Sequence, residues 1–207
     1  INKINNTASK AYGEDAITEK AKSLLCDFFE TEVKVFFLVS GTAANSICLA
    51  TICPPFGSIL CSEDAHINLD ECGAPEFFSG GAKLIPIKTS NGLLSIENIT
   101  SKINSMGSHG VHEMLPSAIS ITQTSELGTV YQLKHIKHIS NIAKKNKLML
   151  HMDGARFANA CAFLQCTPSE MTWKSGVDIL SLGATKNGAL SCEMVVVFNK
   201  SLYANVD

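Results

Sequence analysis

Short apolar runs recur along the chain and predict buried β-strands. In sequence order the predicted strands span residues 34–39, 58–61, 82–87, 118–122, 147–152, 178–182 and 194–198. Most of these runs lack regularly alternating polar positions, which is typical of strands that are covered on both faces. The pattern therefore indicates a sheet buried between two layers.

The longer segments between these strands predict helices. In the segment 133–145, Leu133, Ile136, Ile139 and Ile142 share one face, whereas the lysines occupy the other. Helices are predicted over residues 16–29, 42–53, 96–106, 133–145 and 155–163. Alternation of strands and helices predicts an α/β fold, with one mostly parallel sheet flanked by helices in an α/β/α arrangement.

Composition narrows the classes of function. Of 207 residues, 45% are hydrophobic and 17% charged, which is enough apolar material for a sizeable core. The net charge of −2 gives no basic surface for nucleic acid. The longest apolar run, 35–39, is too short to span a bilayer, and the first residues lack the apolar region of a signal peptide. We expect neither a nucleic-acid partner nor a membrane partner.

The eight cysteines form no C-x-x-C motif, and most lie in apolar stretches such as 59–61. Thiols in such positions behave as small hydrophobic side chains in a reducing compartment. The histidines have no carboxylate or cysteine at metal-ligand spacing. We therefore expect a cytoplasmic protein with reduced cysteines and no metal site.

Candidate chemistry follows three of the predicted strands, at the edge where open α/β sheets bind ligands. The small residues 40–45 open a helix, and its free backbone N–H groups together with the Thr42 hydroxyl suit a phosphate. Asp153 follows one strand and Lys186 follows another. Arg156 is the single arginine of the chain and suggests a bidentate contact with an anion.

Each of these residues also has an ordinary structural interpretation. Gly41 and Thr42 can simply start a helix, Asp153 can cap one, and Lys186 can be a solvated loop residue. Together, the anion cradle, the carboxylate and the lysine fit pyridoxal phosphate better than a nucleotide. That cofactor needs a lysine for a Schiff base, a carboxylate for its pyridinium nitrogen and a cradle for its phosphate.

Four ordered motifs within residues 11–199 resemble those of low-specificity L-threonine aldolases, in the branch that includes phenylserine aldolases. The motifs are Ser-Gly-Thr-Ala-Ala-Asn at 40–45, Ala-His at 65–66 with 70–78, His-Met-Asp-Gly-Ala-Arg at 151–156 and Gly-Ala-Thr-Lys-Asn-Gly at 183–188. The resemblance implies the large domain of fold-type I enzymes that depend on pyridoxal 5′-phosphate.

The resemblance also implies roles for single residues. Lys186 would form the Schiff base, Asp153 would pair with the ring nitrogen, and Arg156 would contact the phenolic oxygen or the substrate. His66 would stack on the ring face. The cofactor-binding residues implied in this way are Gly41, Thr42, His66, Asp153, Arg156 and Lys186.

Four residues are catalytic candidates by the same resemblance: Lys186, Asp153, His66 and His112. The base for the substrate β-hydroxyl is left open between His66, His112 and a water that they hold. His112 is equally compatible with an exposed loop position. Glu71 lies in the His66 motif and is carried over only as a supporting residue.

Members of that family begin earlier and continue past residue 207 into a smaller C-terminal domain, which supplies an arginine for the substrate carboxylate. The expected organisation is an N-terminal helical segment at 1–30 and a cofactor-binding large domain at 31–207, with the C-terminal small domain absent. Low turnover by this truncated chain is expected on that ground.

The leading hypothesis is a lyase that cleaves L-threonine and related β-hydroxy-α-amino acids to glycine and an aldehyde, as a homodimer or homotetramer. Two alternatives stay open. One is another fold-type I lyase or an aminotransferase, because the cofactor-binding parts are shared. The other is a truncated fragment that keeps the cofactor-domain fold without turnover.

Overall fold

A computed structural model describes residues 8–108 and 110–206 of the chain. Seven strands form one sheet: β1 Lys34–Leu38, β2 Ser58–Ser62, β3 Lys83–Ile87, β4 Pro116–Thr122, β5 Met149–Gly154, β6 Ile179–Gly183 and β7 Glu193–Val197. The helices are α1 Ala16–Phe29, α2 Gly41–Ile52, α3 His66–Leu69, α4 Ala74–Phe78, α5 Ile96–Asn104, α6 Leu133–Lys145, α7 Phe157–Leu164 and α8 Pro168–Met171. Short 3₁₀ turns span Gly110–His112, Trp173–Ser175, Thr185–Asn187 and Lys200–Asn205.

The strand order is β1-β7-β6-β5-β4-β2-β3, and the expectation of a mostly parallel sheet is confirmed. Strand β7 is the exception, since it runs antiparallel to both of its neighbours. Its first residue, Glu193, therefore pairs with Gly183 at the carboxyl end of β6. This reversal brings the chain back to the same edge of the sheet directly after β6.

Helices cover both faces of the sheet, so the core has two halves. Consecutive side chains of a strand point to opposite faces, and in β6 Ile179 joins one half while Leu180 joins the other. The first half contains Leu49 of α2. The second contains Ile136 of α6 and Phe157 of α7. The apolar runs of the sequence are continuous because both faces of each strand are buried.

The short helices α3, α4 and α8 were not predicted, because four or five residues are too few to show a helical period. Helix α7 begins at Phe157, two residues later than the predicted start. The reason is local: the Ala155 backbone N–H donates to Asp153 Oδ1 at 3.0 Å, and this turn holds the chain out of the helix. Residues 1–7 of the predicted segment 1–30 lie outside the described residues.

All eight cysteines are free thiols. Cys48 and Cys61 are completely buried, and burial raises the pKa of Cys61 to about 12. These thiols serve as small apolar core side chains, as the sequence predicts. In the part of the chain that the structure describes, no helix combines the length and the apolar character needed to cross a bilayer.

Candidate active site

A cavity of about 160 Å³ opens at the carboxyl edge of the sheet. Its lining comes from segments that are far apart in sequence: Gly41, Thr42, Asn45, His66, Glu71, Glu126, Asp153, Ala155, Ser181, Lys186 and Glu193. Five of the six residues expected to bind the cofactor therefore meet in one place. They do so because α2, α3, β5 and the turn after β6 all reach this edge.

Asp153 lies on the floor of the cavity, near the end of β5, and is only 4% exposed. Besides the bond from Ala155 to Oδ1, its Oδ2 accepts a hydrogen bond from Asn45 Nδ2 at 3.0 Å. In the sheet it pairs with Ser181 of β6. Backbone pairing and two hydrogen bonds therefore fix the position of this carboxylate.

Lys186 lies in the 3₁₀ turn Thr185–Asn187 between β6 and β7 and is exposed. The two ends of this loop are tied together, since Ala184 N donates to Cys192 O and Cys192 N donates to Thr185 Oγ1, both at 3.0 Å. Among the described residues, Lys186 has no hydrogen-bond or ion-pair partner. Its amine is thus available on the rim of the cavity.

His66 opens α3, and its Nδ1 lies 2.8 Å from Oε1 of Glu71. The imidazole is half-buried, whereas Glu71 is only 4% exposed. Burial raises the pKa of the Glu71 carboxyl, and hydrogen bonds from Asn45 and His66 oppose that rise. The pair holds the ring in one orientation beside the cavity.

Asn45 lies between the two buried carboxylates and is itself buried. Its Nδ2 donates to Glu71 Oε1 at 2.7 Å as well as to Asp153. Its Oδ1 accepts a hydrogen bond from Ser181 Oγ at 2.6 Å. The amide therefore has partners on both of its ends, and its orientation is fixed.

Helix α2 begins beside the cavity, at the place where the sequence predicts an anion cradle. Ser40 caps the helix, with Oγ accepting from Ala43 N at 3.2 Å. The N–H groups of Gly41 and Thr42 lie in the first turn, where an α-helix offers donors to an anion. The space beside Gly41 is open, since an added Cβ would come no closer to another described residue than 3.8 Å, at Glu193 Oε2.

Arg156 does not line this cavity. It lies at the start of α7, with Nη1 3.7 Å from Oε2 of Glu126, which does line the cavity. The same Nη1 is buried and has no hydrogen-bond partner among the described residues. Its guanidinium faces a neighbouring cleft that Thr124 and Asn159 help to line. The arginine is therefore adjacent to the predicted site, with one buried donor unused.

The structure does not bring His112 to the cavity. This residue is exposed in the 3₁₀ turn Gly110–His112, which precedes β4. The carboxyl end of β4, at Thr122, is the end that approaches the site, because it pairs with Asp153 of β5. His112 is therefore close in sequence to the amino edge of the sheet, opposite to the cavity.

Glu126 and Glu193 line the cavity but were not singled out in the sequence. Glu193 is buried, and an added Cβ at Gly183 would lie 2.8 Å from its Oε2 and 2.9 Å from Cα of Ala155. Only glycine fits at position 183 for this reason. A charged residue before an apolar strand is common, and no sequence pattern indicates that β7 runs antiparallel to β6. The placement of Glu193 in the cavity could therefore not be predicted.

His151 is a further buried group next to the site. It is fully buried in β5, with Nδ1 2.9 Å from Ser120 Oγ. Burial lowers the pKa of His151 to about 4, although the charge of Asp153 opposes this effect. The ring is therefore neutral at physiological pH.

This depressed pKa predicts an acid-sensitive fold. Because unfolded histidine titrates near pH 6.5, unfolding takes up a proton as the pH falls below that value, and stability is lost down to about pH 4. We expect His151→Gln to flatten the decline of unfolding free energy between pH 7.5 and 4 by roughly 3 kcal/mol. Urea denaturation across this range measures it, with the exposed His138→Gln as control. Equal slopes for His151→Gln and the unchanged protein would contradict the assignment.

Residues 8–108 and 110–206 contain no candidate metal site. No group of three or more His, Cys, Asp or Glu side chains there is arranged to hold a metal ion. The cavity instead combines buried carboxylates, one amine and a helix N-terminus, which suit an organic ligand that carries both positive and negative groups.

Curated proteins of known name are similar to this chain. A low specificity L-threonine aldolase of Pseudomonas sp. (strain NCIMB 10558) is 44% identical over 207 residues, covering all of this chain and 59% of the relative. The enzyme of the same name from Pseudomonas aeruginosa is 46% identical over 206 residues, covering 98% of this chain and 58% of the relative. The chain thus spans less than two thirds of the curated relatives that it matches.

Solved structures include proteins with the same fold as this chain. The threonine aldolase of Leishmania major superposes with a TM-score of 0.91 at 28% identity, covering 99% of this chain and 59% of that one. The model of the beta-eliminating lyase family matches residues 6–205. Members of this family depend on pyridoxal phosphate. The chain belongs to the beta-eliminating lyase family and has its fold-type I architecture.

Proposed function

We propose that the protein is a pyridoxal-phosphate-dependent carbon–carbon lyase that cleaves L-threonine and related β-hydroxy-α-amino acids to glycine and an aldehyde. The observation that carries the proposal is the meeting of Asp153, Lys186 and His66 in one cavity. The relatives named low specificity L-threonine aldolase support the substrate class.

The residues of the cavity fit the cofactor. Asp153 is a buried carboxylate whose hydrogen bonds come from neutral donors, so it can still accept from a protonated ring nitrogen. Lys186 lines the same cavity, and its amine has no hydrogen-bond or ion-pair partner among the described residues. The first turn of α2 offers donors for the phosphate, although Glu193 lies on the same side. The fit therefore depends more on Asp153 and Lys186 than on the helix.

When bound, this cofactor withdraws electrons from the α-carbon of an amino acid, which permits the Cα–Cβ bond to break. Lys186 would hold the cofactor covalently through Nζ and release it when the substrate amine arrives. Asp153 would keep a proton on the ring nitrogen. Arg156 would contact an anionic group of the substrate through Nη1, which lies 3.7 Å from Glu126 of the cavity lining and has no hydrogen-bond partner among the described residues.

We assign the removal of the β-hydroxyl proton to His66. The Glu71 carboxylate binds Nδ1, and the other ring nitrogen, Nε2, stays free to accept a proton. The other histidine candidate from the sequence, His112, lies in a turn that precedes β4 at the other edge of the sheet, away from the cavity. General-base assistance of this kind contributes roughly 10²- to 10⁴-fold to a rate.

An aminotransferase or another lyase is the rival within the same fold, and the products distinguish them. We expect the protein, incubated with pyridoxal phosphate and L-threonine, to release glycine and acetaldehyde in equal amounts without a keto acid. Both products are measured by chromatography after derivatisation. Keto-acid formation from an amino acid and pyruvate, without acetaldehyde, would favour the aminotransferase.

The chain spans 58–59% of its relatives, and the activity proposed here is that of the whole protein. We further propose assembly as a homodimer or homotetramer, since α4 exposes Phe77 and Phe78. The free, partly buried thiols support a cytoplasmic location.

A further inference from the structure

Two buried carboxylates share one neutral donor in the floor of the cavity. Glu71 and Asp153 are each 4% exposed, and the Asn45 amide nitrogen donates to both, at 2.7 and 3.0 Å. Ser181 Oγ donates to the amide oxygen, so the NH₂ group must face the carboxylates. Both protons of the amide are therefore used to stabilise negative charge.

Glu71 has few other sources of stabilisation. Its Oε1 accepts from Asn45 and lies 2.8 Å from His66 Nδ1, whereas its Oε2 is buried with no hydrogen-bond partner among the described residues. The charge of Asp153 disfavours ionisation of Glu71, as does burial. Loss of the amide would leave two neighbouring buried carboxylates with fewer donors, a situation in which one carboxyl takes up a proton.

The protonation state of Glu71 decides what His66 can do. An ionised Glu71 only accepts, so His66 must carry its proton on Nδ1, and Nε2 is left as an acceptor. A protonated Glu71 can donate to Nδ1 instead, which moves the imidazole proton to Nε2. We propose that Asn45 is a positioning residue for the reaction: it keeps Glu71 ionised and thereby keeps the His66 proton on Nδ1, leaving Nε2 able to accept a proton. The catalytic use of this arrangement rests on the proposed function.

Other titratable groups lie around Asn45, Glu71 and Asp153 and influence which carboxyl group is protonated. Lys186, Glu126 and Glu193 face it across the cavity. Behind it, Cys48 and His151 are buried against Asp153, and burial keeps both of them neutral. None of these groups has a hydrogen bond to His66 or Glu71 among the described residues, so Asn45 is the direct link between the two carboxylates.

The test is the tautomer of His66, read by long-range ¹H–¹⁵N NMR on the protein with ¹⁵N-labelled histidine, without cofactor, at pH 8. The His66→Phe variant identifies the signal. We expect the proton on Nδ1 in the unchanged protein and mainly on Nε2 in Asn45→Ala. Asn45→Leu, which has a similar shape but no donor, should shift the tautomer in the same direction if the alanine variant does not fold.

A matched control exists at the opposite edge of the sheet. Asn199 Nδ2 donates to Asp178 Oδ1 at 2.8 Å, so Asn199→Ala removes an Asn–Asp hydrogen bond outside the site and should leave the His66 tautomer unchanged. A proton on Nε2 in the unchanged protein, or on Nδ1 in an Asn45 variant that folds, would overturn the proposal. The NMR experiment contains no substrate, so its result is independent of whether the protein releases glycine and acetaldehyde from threonine, which is the test of the proposed function.

Discussion

Lys186→Ala is expected to abolish covalent capture of the cofactor and to lower turnover by on the order of 10³-fold or more. Lys186 is the lysine whose amine lines the cavity, and the described residues leave it unpaired. Because the side chain is exposed, its removal should hardly change the unfolding free energy. A loss of turnover would therefore reflect the missing amine and not unfolding of the protein.

Borohydride reduction followed by peptide mapping measures this capture directly. The unchanged protein with pyridoxal phosphate should yield a pyridoxyl group on the peptide that contains Lys186. Lys174→Ala is the control, since that amine pairs with Glu30 at 2.6 Å, outside the cavity. A label that persists in Lys186→Ala, on Lys174 or Lys83, would refute the assignment.

Asp153→Asn is expected to reduce the rate of Cα–Cβ cleavage by roughly 30- to 150-fold. A charge-assisted hydrogen bond of this kind contributes about 2–3 kcal/mol, and each 1.4 kcal/mol corresponds to about tenfold. The loss is larger if the ring nitrogen also loses its proton. The measurement is the rate of glycine formation at saturating threonine and cofactor.

Asp178→Asn provides the matched comparison. Asp178 precedes β6 at the amino edge, and its Oδ2 accepts from Leu150 N at 2.8 Å. Both substitutions remove a charge with backbone partners, so both should lower the unfolding free energy measured in urea. Only Asp153→Asn should lower the rate in protein that remains folded, and equal rate losses would count against Asp153 as the partner of the ring nitrogen.

The seven strands could be predicted from the sequence because burial on both faces leaves an unbroken apolar signature. Strand direction leaves no such signature, and so the reversal of β7 could not be read from its Val195–Val197 run. The convergence of Asp153 and Lys186 followed from their places after parallel strands. The fold, and the edge that carries the site, were thus predictable.

The hydrogen-bond partners of the site residues were harder to predict from the sequence. Asn45 lies in a motif that carried the resemblance, yet its contact with Asp153 joins positions far apart in the chain, and no local period encodes such a pair. Ser181 reads as an ordinary small residue within an apolar strand. The available signal was the polar side chain of Asn45 in the apolar helix α2, because a buried amide needs hydrogen-bond partners.

The register of β5, β6 and β7 has a consequence for how the protein can vary. Asp153 faces Ser181 in the backbone ladder, and Gly183 faces Glu193 on the next strand. The distance from Asp153 to the end of β6, where the loop that carries Lys186 begins, is thus set by the spacing between strands, about 4.8 Å for each step. Surface helices and the loops other than the one between β6 and β7 can accumulate substitutions, and even change in length, while Asp153 and the start of the Lys186 loop keep their distance. Selection on the chemistry would act on a few ladder positions and leave most of the surface free to diverge.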